Sequence, residues 1–140
     1  MSQNTHESLN LEGTAPLLLM CDHASNHVPP KLTNLGLTQY QLKQHIGWDI
    51  GAAAITRELS KIMDAAAVLC GTSRLVIDAN RAPGDKSGIP KISHEIVIPG
   101  NQNLSEADQI GRTEAYFWPY HHAIADALAH LRRRDQAPQN

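Results

Sequence analysis

The stretch Leu17 to Pro30, L-L-L-M-C-D-H-A-S-N-H-V-P-P, passes from a short apolar run straight into Asp22, His23, Ser25, Asn26 and His27. Imidazoles and carboxylates this close together can hold a metal ion or move protons near neutral pH. Two further clusters offer related chemistry: His45 with Trp48-Asp49, and Arg74 with Asp78, Asn80 and Arg81. A fourth and weaker one is Tyr120-His121-His122. The chain holds eight histidines in 140 residues, so metal or acid–base chemistry is the first thing to test.

Each cluster has a functional and a structural reading. A histidine directly after a strand is a natural metal ligand, because a rigid element fixes its direction. Hydrolytic zinc needs about three protein ligands plus a water, and no H-E-x-x-H signature is present. A hydrogen-bonded turn histidine is therefore the other reading of His23. Asp49 lies at the start of a helix, where its carboxylate would cap free N–H groups. Asn80-Arg81 could clamp a substrate carboxylate through the planar guanidinium fork, or Arg81 could pair with Asp78 or Asp85.

The elements that must position these groups are those of an α/β chain. Apolar runs of strand length predict strands over about Pro16–Cys21, Ala66–Cys70 and Arg74–Ala79. Polar groups follow where the first and third of these end, the usual place for ligands in an open α/β sheet. Thr38 can cap a short helix holding Tyr40, Leu42 and Ile46. A longer helix follows Gly51, with Ile55, Leu59, Ile62 and Met63 at helical spacing and expected to face the sheet. Ala82 to Leu104 is a long loop rich in Gly, Pro and Ser, with a small extended piece at Ile96–Asn101. Ser105 to Asp108 is a capping-box start for a last helix over Glu106–Arg133, interrupted by Pro119, with Ile124, Leu128 and Leu131 on its apolar face. Residues 1–15 read as a flexible leader, 16–134 as one domain and 135–140 as a tail.

Bulk composition narrows the function. Net charge is −2, without the basic face that nucleic acid requires. No apolar run approaches the roughly 20 residues of a membrane helix, and the polar start has no secretory h-region. A cytoplasmic protein with neither nucleic-acid nor membrane partner is expected. Cys21 and Cys70 each end an apolar run and read as buried small hydrophobes; without C-x-x-C, a redox pair is the weaker reading.

Five motifs, taken together and in order, resemble those of the N-formylglutamate amidohydrolases. They are Cys21 to Asn26, His45 to Ala52, Ser73 to Arg81, Ile98 to Asn101 with Leu104-Ser105, and Pro119 to His121. The likeness is to the branch of predicted N-formylglutamate amidohydrolases, which usually carries glutamate where Asp22 stands here; the charge is kept with a shorter reach. The resemblance implies a three-layer α/β sandwich with a mixed, mainly parallel sheet, similar to zinc-dependent carboxypeptidases. It implies hydrolysis of the formyl amide of N-formyl-L-glutamate, or a related N-acyl amino acid, to formate and amino acid. By the same analogy His23 and Asp49 are ligands of zinc or another divalent metal. Asn80 and Arg81 hold the substrate carboxylate, with Asn26 a further substrate-binding group. Arg74 helps polarise the scissile carbonyl. Members are usually much longer, and their second half carries an H-S motif with a third ligand and a late glutamate base. His121 and His122 are the only candidates to replace these. The chain thus reads as the N-terminal half of such an enzyme, with an uncovered sheet edge. A homo-oligomer or a separate C-terminal-half chain is the expected partner. The alternative is a catalytically incomplete module that binds a carboxylate or associates with another subunit.

Overall fold

The computed structural model describes residues 5–136. Three strands form the central sheet in the order β1 (His6–Leu9), β3 (Ala66–Cys70), β2 (Leu18–Cys21). β2 runs parallel to β3, with Leu18 opposite Ala66 and Cys21 opposite Leu69. β1 runs antiparallel, with His6 opposite Cys70. The sheet is mixed as expected, but one of its two pairings is antiparallel, so it is not mainly parallel.

β3 shows why it is central. Its five residues, A-A-V-L-C, are all buried, as expected of a strand covered on both faces. Ala67 and Leu69 pack with Leu19, Cys21, Ala52 and Ala53 on one face. Val68 and Cys70 pack with Tyr120, Ile124 and Ala127 on the other. The first face is covered by α2 (Ala52–Met63), and the second by the long C-terminal helix. This gives the three layers. Both cysteines are free and buried.

The short helix α1 (Gln39–Leu42) has the expected Thr38 cap, with Gln41 returning a bond to the Thr38 N–H. A small hairpin, β4 (Ile92–Ser93) and β5 (Ile96–Val97), and a 3-10 turn at Pro99–Asn101 occupy the long loop. α3 (Glu106–Arg112) opens on the Ser105/Asp108 capping box. It continues through a π-turn, Thr113–Phe117, into α4 (Trp118–Gln136). Pro119 explains the π-turn: it has no N–H to donate and its ring crowds the carbonyl one turn back. A second core lies under this region, where Leu35, Leu42, Ile46, Leu75, Val76, Ile98, Tyr116 and Phe117 meet. Among the described residues no helix is long and apolar enough to cross a membrane.

Several expectations are corrected. Residues 6–9, expected in a flexible leader, form β1. Their attachment is specific: Glu7 pairs with Arg57 of α2, and Asn10 and Thr14 both donate to the Asp64 carboxylate after α2. The tail residues 137–140 lie outside the described residues, and α4 runs to Gln136. Second, Arg74–Ala79 is not a strand but a series of turns, although Leu75 to Ala79 are buried. Third, Ile55, Leu59, Ile62 and Met63 do not face the sheet. They are exposed, and α2 buries Thr56 and Ser60 instead. Small residues let the helix lie close: Thr56 Oγ1 donates to Ala52 O and Ser60 Oγ to Ala65 O, so neither hydroxyl is unpaired. Leu128 of α4 is likewise exposed, while Ile124 and Leu131 are buried.

Candidate active site

Three pieces of irregular backbone are stitched together beyond the end of β2. Asp49 N donates to His23 O at 3.0 Å. Ser73 N donates to His27 O at 2.7 Å, and Ser73 Oγ to Gly47 O at 2.6 Å. Gly47 has no room for a side chain, because a Cβ there would lie 2.2 Å from Leu42 O. These bonds place the turn after β2, the turn before α2 and the segment after β3 side by side. Residues far apart in the chain then converge.

His23 is at the centre. Its Nε2 lies 2.7 Å from Asp78 Oδ1 and its Nδ1 lies 3.2 Å from Asp49 Oδ2. Arg74 Nη1 donates to Asp49 Oδ1 at 3.2 Å, and its Nη2 lies 3.5 Å from Asp78 Oδ2. Asp78 is buried, whereas Asp49 is exposed at the mouth of the cleft. The hydrogen bond that His23 donates to Asp78 is the main reason the His23 pKa is raised; burial acts against it. Burial would raise the Asp78 carboxyl, but bonds from His23 and from the Asn80 N–H outweigh it and hold the group below its usual value. The Asn80 N–H to Asp78 Oδ1 distance is 2.9 Å.

Asp22 is fixed from the other side. Tyr120 Oη, fully buried in α4, donates to Asp22 Oδ1 at 2.6 Å. Burial and this contact push the tyrosine pKa far up, so it stays a donor. Asp22, His23, Asp49 and Asn80 line one cleft of about 410 Å³, together with Met20, Cys21 and Ile55.

The expected site residues divide on this geometry. His23, Asp49 and Asn80 share the cleft, and Arg74 touches it through Asp49. Asp49 is not the helix cap, since the N-cap of α2 is Gly51 at φ 87°. Arg81 lines an adjoining cavity of about 800 Å³ with Asp78, Lys86, Lys91 and Gln109. It donates to the carbonyl of Asn80 at 3.1 Å and pairs with neither Asp78 nor Asp85. Asn26 is partly buried on the same turn as His23 but does not line the cleft. His121 is also elsewhere. Its Nε2 is 2.8 Å from Ala79 O and its ring packs on Phe117, so it braces the segment that carries Asp78.

Sequence reasoning missed two supports. Asp78 stood in the Arg74 cluster without an assigned role; its orienting contact with His23 spans 55 positions, and only its place in the S-R-L-V-I-D-A-N-R motif could have marked it. The buried Arg112 and Asn101 were missed as a pair. Arg112 donates to Val76 O at 3.0 Å, to Gly100 O at 3.0 Å and to Asn101 Oδ1 at 2.6 Å. Asn101 Nδ2 donates to Leu75 O at 2.9 Å and to Pro90 O at 2.8 Å.

Ligand atoms on a tetrahedral zinc at about 2.05 Å lie roughly 3.3 Å apart. His23 Nδ1 and Asp49 Oδ2, at 3.2 Å, are close to that spacing. A buried carboxylate on the other imidazole nitrogen is the usual support for a ligating histidine. Among the described residues no third His, Cys, Asp or Glu converges with them. The residues present therefore fit two donors of such a site.

Comparison with known proteins bears on this cluster. Residues 15–139 match the family model for N-formylglutamate amidohydrolase. No curated protein matches the chain. A crystal structure of a gene product from Agrobacterium tumefaciens is similar over 94% of this chain, with 37% identity and a TM-score of 0.89. The match covers 52% of that protein, so this chain spans about half its length.

Proposed function

The chain belongs to the N-formylglutamate amidohydrolase family, and we propose that its cleft serves hydrolysis of the formyl amide of N-formyl-L-glutamate or a related N-acyl amino acid. The observation that carries this reading is the convergence of His23 Nδ1 and Asp49 Oδ2 at a cleft mouth, backed by the buried Asp78.

In this reading His23 and Asp49 hold a divalent metal, zinc by analogy with metallo-carboxypeptidases. Zinc bound there would polarise the amide carbonyl and lower the pKa of a bound water. The chain's own groups do the rest. Asp78 keeps the His23 ring oriented by accepting a hydrogen bond from its Nε2–H. Arg74 has one edge on Asp49 and Asp78, and its remaining N–H groups can face the oxygen on which charge develops. Asn80 orients the amide within the cleft. Arg81 forms no ion pair with a carboxylate among the described residues, and it offers its fork to the α-carboxylate of the amino acid from the adjoining cavity. A cytoplasmic setting agrees with such a small, charged substrate.

The test is formate release from N-formyl-L-glutamate by the purified chain with added zinc. Release is expected to depend on zinc and to be lost in His23→Ala. Release without zinc, or equal release by His23→Ala, would contradict the metal assignment. A folded chain that releases no formate would sink the catalytic reading in favour of a binding or association module.

A further inference from the structure

Of the carboxylates and imidazoles that line the cleft, Asp22 alone has no task in the proposed function. Successive side chains of a strand point to opposite faces of the sheet. Cys21 packs on the α2 face, so Asp22, just past the end of β2, turns towards α4. There the fully buried Tyr120 donates its hydroxyl to Asp22 Oδ1 at 2.6 Å. Asp22 Oδ2 has no hydrogen-bond partner among the described residues. A buried tyrosine hydroxyl needs an acceptor for its own sake. This one reaches across 98 positions to the neighbour of His23, and it occupies only one of the two carboxylate oxygens. The other oxygen is left to the cleft.

An N-acyl amino acid brings a carboxylate, an amide carbonyl and an amide N–H to such a cleft. The N–H is its only donor at the reacting centre, and enclosing it without an acceptor costs about 1–3 kcal/mol. The other acceptors that line the cleft are engaged or not held in place. His23 uses both ring nitrogens, and Asp49 uses both oxygens. Thr56 is buried against the sheet, with its hydroxyl bonded to Ala52 O. Asn80 is exposed, and its side chain has no partner among the described residues to fix its direction. Asp22 is an acceptor that is held from behind and has an oxygen to spare.

We infer that Asp22 Oδ2 accepts the amide N–H of the substrate, with Tyr120 as the positioning residue that keeps the carboxylate in place. The inference rests on the proposed function, since it takes an N-acyl amino acid as the ligand. It makes the cleft selective for secondary amides. An ester of the same shape carries an oxygen where the amide carries N–H, and would set that oxygen against the Asp22 carboxylate. A site built around a hydrogen bond rejects the analogue that lacks the donor.

The experiment titrates the purified chain, with added zinc, against two probes of one shape: N-acetyl-L-glutamate and its ester counterpart, L-α-acetoxyglutarate. Calorimetry gives both dissociation constants. The parent chain should bind the amide about tenfold or more tighter than the ester. Asp22→Ala should cut that preference to less than about threefold, by weakening the amide and not the ester. Tyr120→Phe removes a single oxygen and keeps the ring in its core. It should lower the preference by about threefold, again without weakening the ester. Thermal unfolding is followed for both variants, and Tyr120→Phe carries the test if Asp22→Ala does not fold. A parent chain that binds both probes equally, a preference that survives the substitutions, or equal weakening of both probes would overturn the inference and leave the proposed function standing. Binding of neither probe by the folded parent chain would overturn both.

Discussion

Ala66–Cys70 and Leu75–Ala79 are both five residues long, nearly all apolar and buried, yet only the first is a strand. β3 satisfies its backbone through ladders to β1 and β2. Among the described residues Leu75–Ala79 pairs with no strand; Val76 N, Asp78 N and Asp78 O bond to turn backbone, and four further groups go to side chains. Leu75 O accepts from Asn101, Val76 O from Arg112 and Ala79 O from His121, while the Leu75 N–H donates to Ser73 Oγ. Burial demands that backbone groups be paired but does not dictate with what. A ladder spaces side chains regularly on two faces. Turns held by outside side chains can instead aim Arg74, Asp78, Asn80 and Arg81 in different directions, which a site needs.

The difference can be broken at its anchors. Arg112→Met should have the largest effect, because it leaves Val76 O, Gly100 O and Asn101 Oδ1 without their donor. We expect a loss of about 4 kcal/mol in denaturant unfolding. Asn101→Ala alone should cost about 2 kcal/mol, and the double variant less than the sum because the two side chains share a bond. A loss below about 1 kcal/mol for Arg112→Met would mean that the segment holds itself.

Leu69→Ala probes the ladder side. It should cost about 3 kcal/mol through cavity formation. Hydrogen exchange should rise throughout β1, β2 and β3 together, while the Arg112 and Asn101 variants should release Ser73–Arg81 first. Equal loosening of both regions by either change would erase the distinction.

The smallest effect concerns how β1 closes the ladder. Asn10 first, then Thr14, lowers the Asp64 carboxyl below its ordinary 3.8. A depressed carboxyl contributes stability that is present above the unfolded pKa and is lost as pH falls through the folded one. Exchange at residues 10–14 should therefore rise below about pH 4 before exchange within β3 does. Simultaneous opening would show that Asp64 tethers nothing.

Much of this was legible in the chain. The strands at 18–21 and 66–70, the helix at 52–63 and the Thr38 and Ser105 caps follow from apolar run length and local capping chemistry. The polar burst Asp22-His23 marked the cleft. The turn character of 74–79 was not legible, because a short apolar run reads the same whether a ladder or distant side chains satisfy it. The outward stripe on α2 was missed for a related reason. Helical spacing identifies an apolar face but not what covers it, and here Thr56 and Ser60 make the close contact with the sheet. The contacts of Asp78 with His23 and of Tyr120 with Asp22 join residues 55 and 98 positions apart, beyond any local rule.

Under the proposed function, the buried Asp78 of the irregular segment holds His23 as a metal ligand beside Asp49. Zinc titration of the purified chain, by calorimetry with elemental analysis, tests it most directly. One zinc per chain is expected, absent in His23→Ala and bound about 10- to 100-fold more weakly in Asp78→Asn, whose ring support is impaired. Unchanged stoichiometry and affinity in His23→Ala would contradict the account.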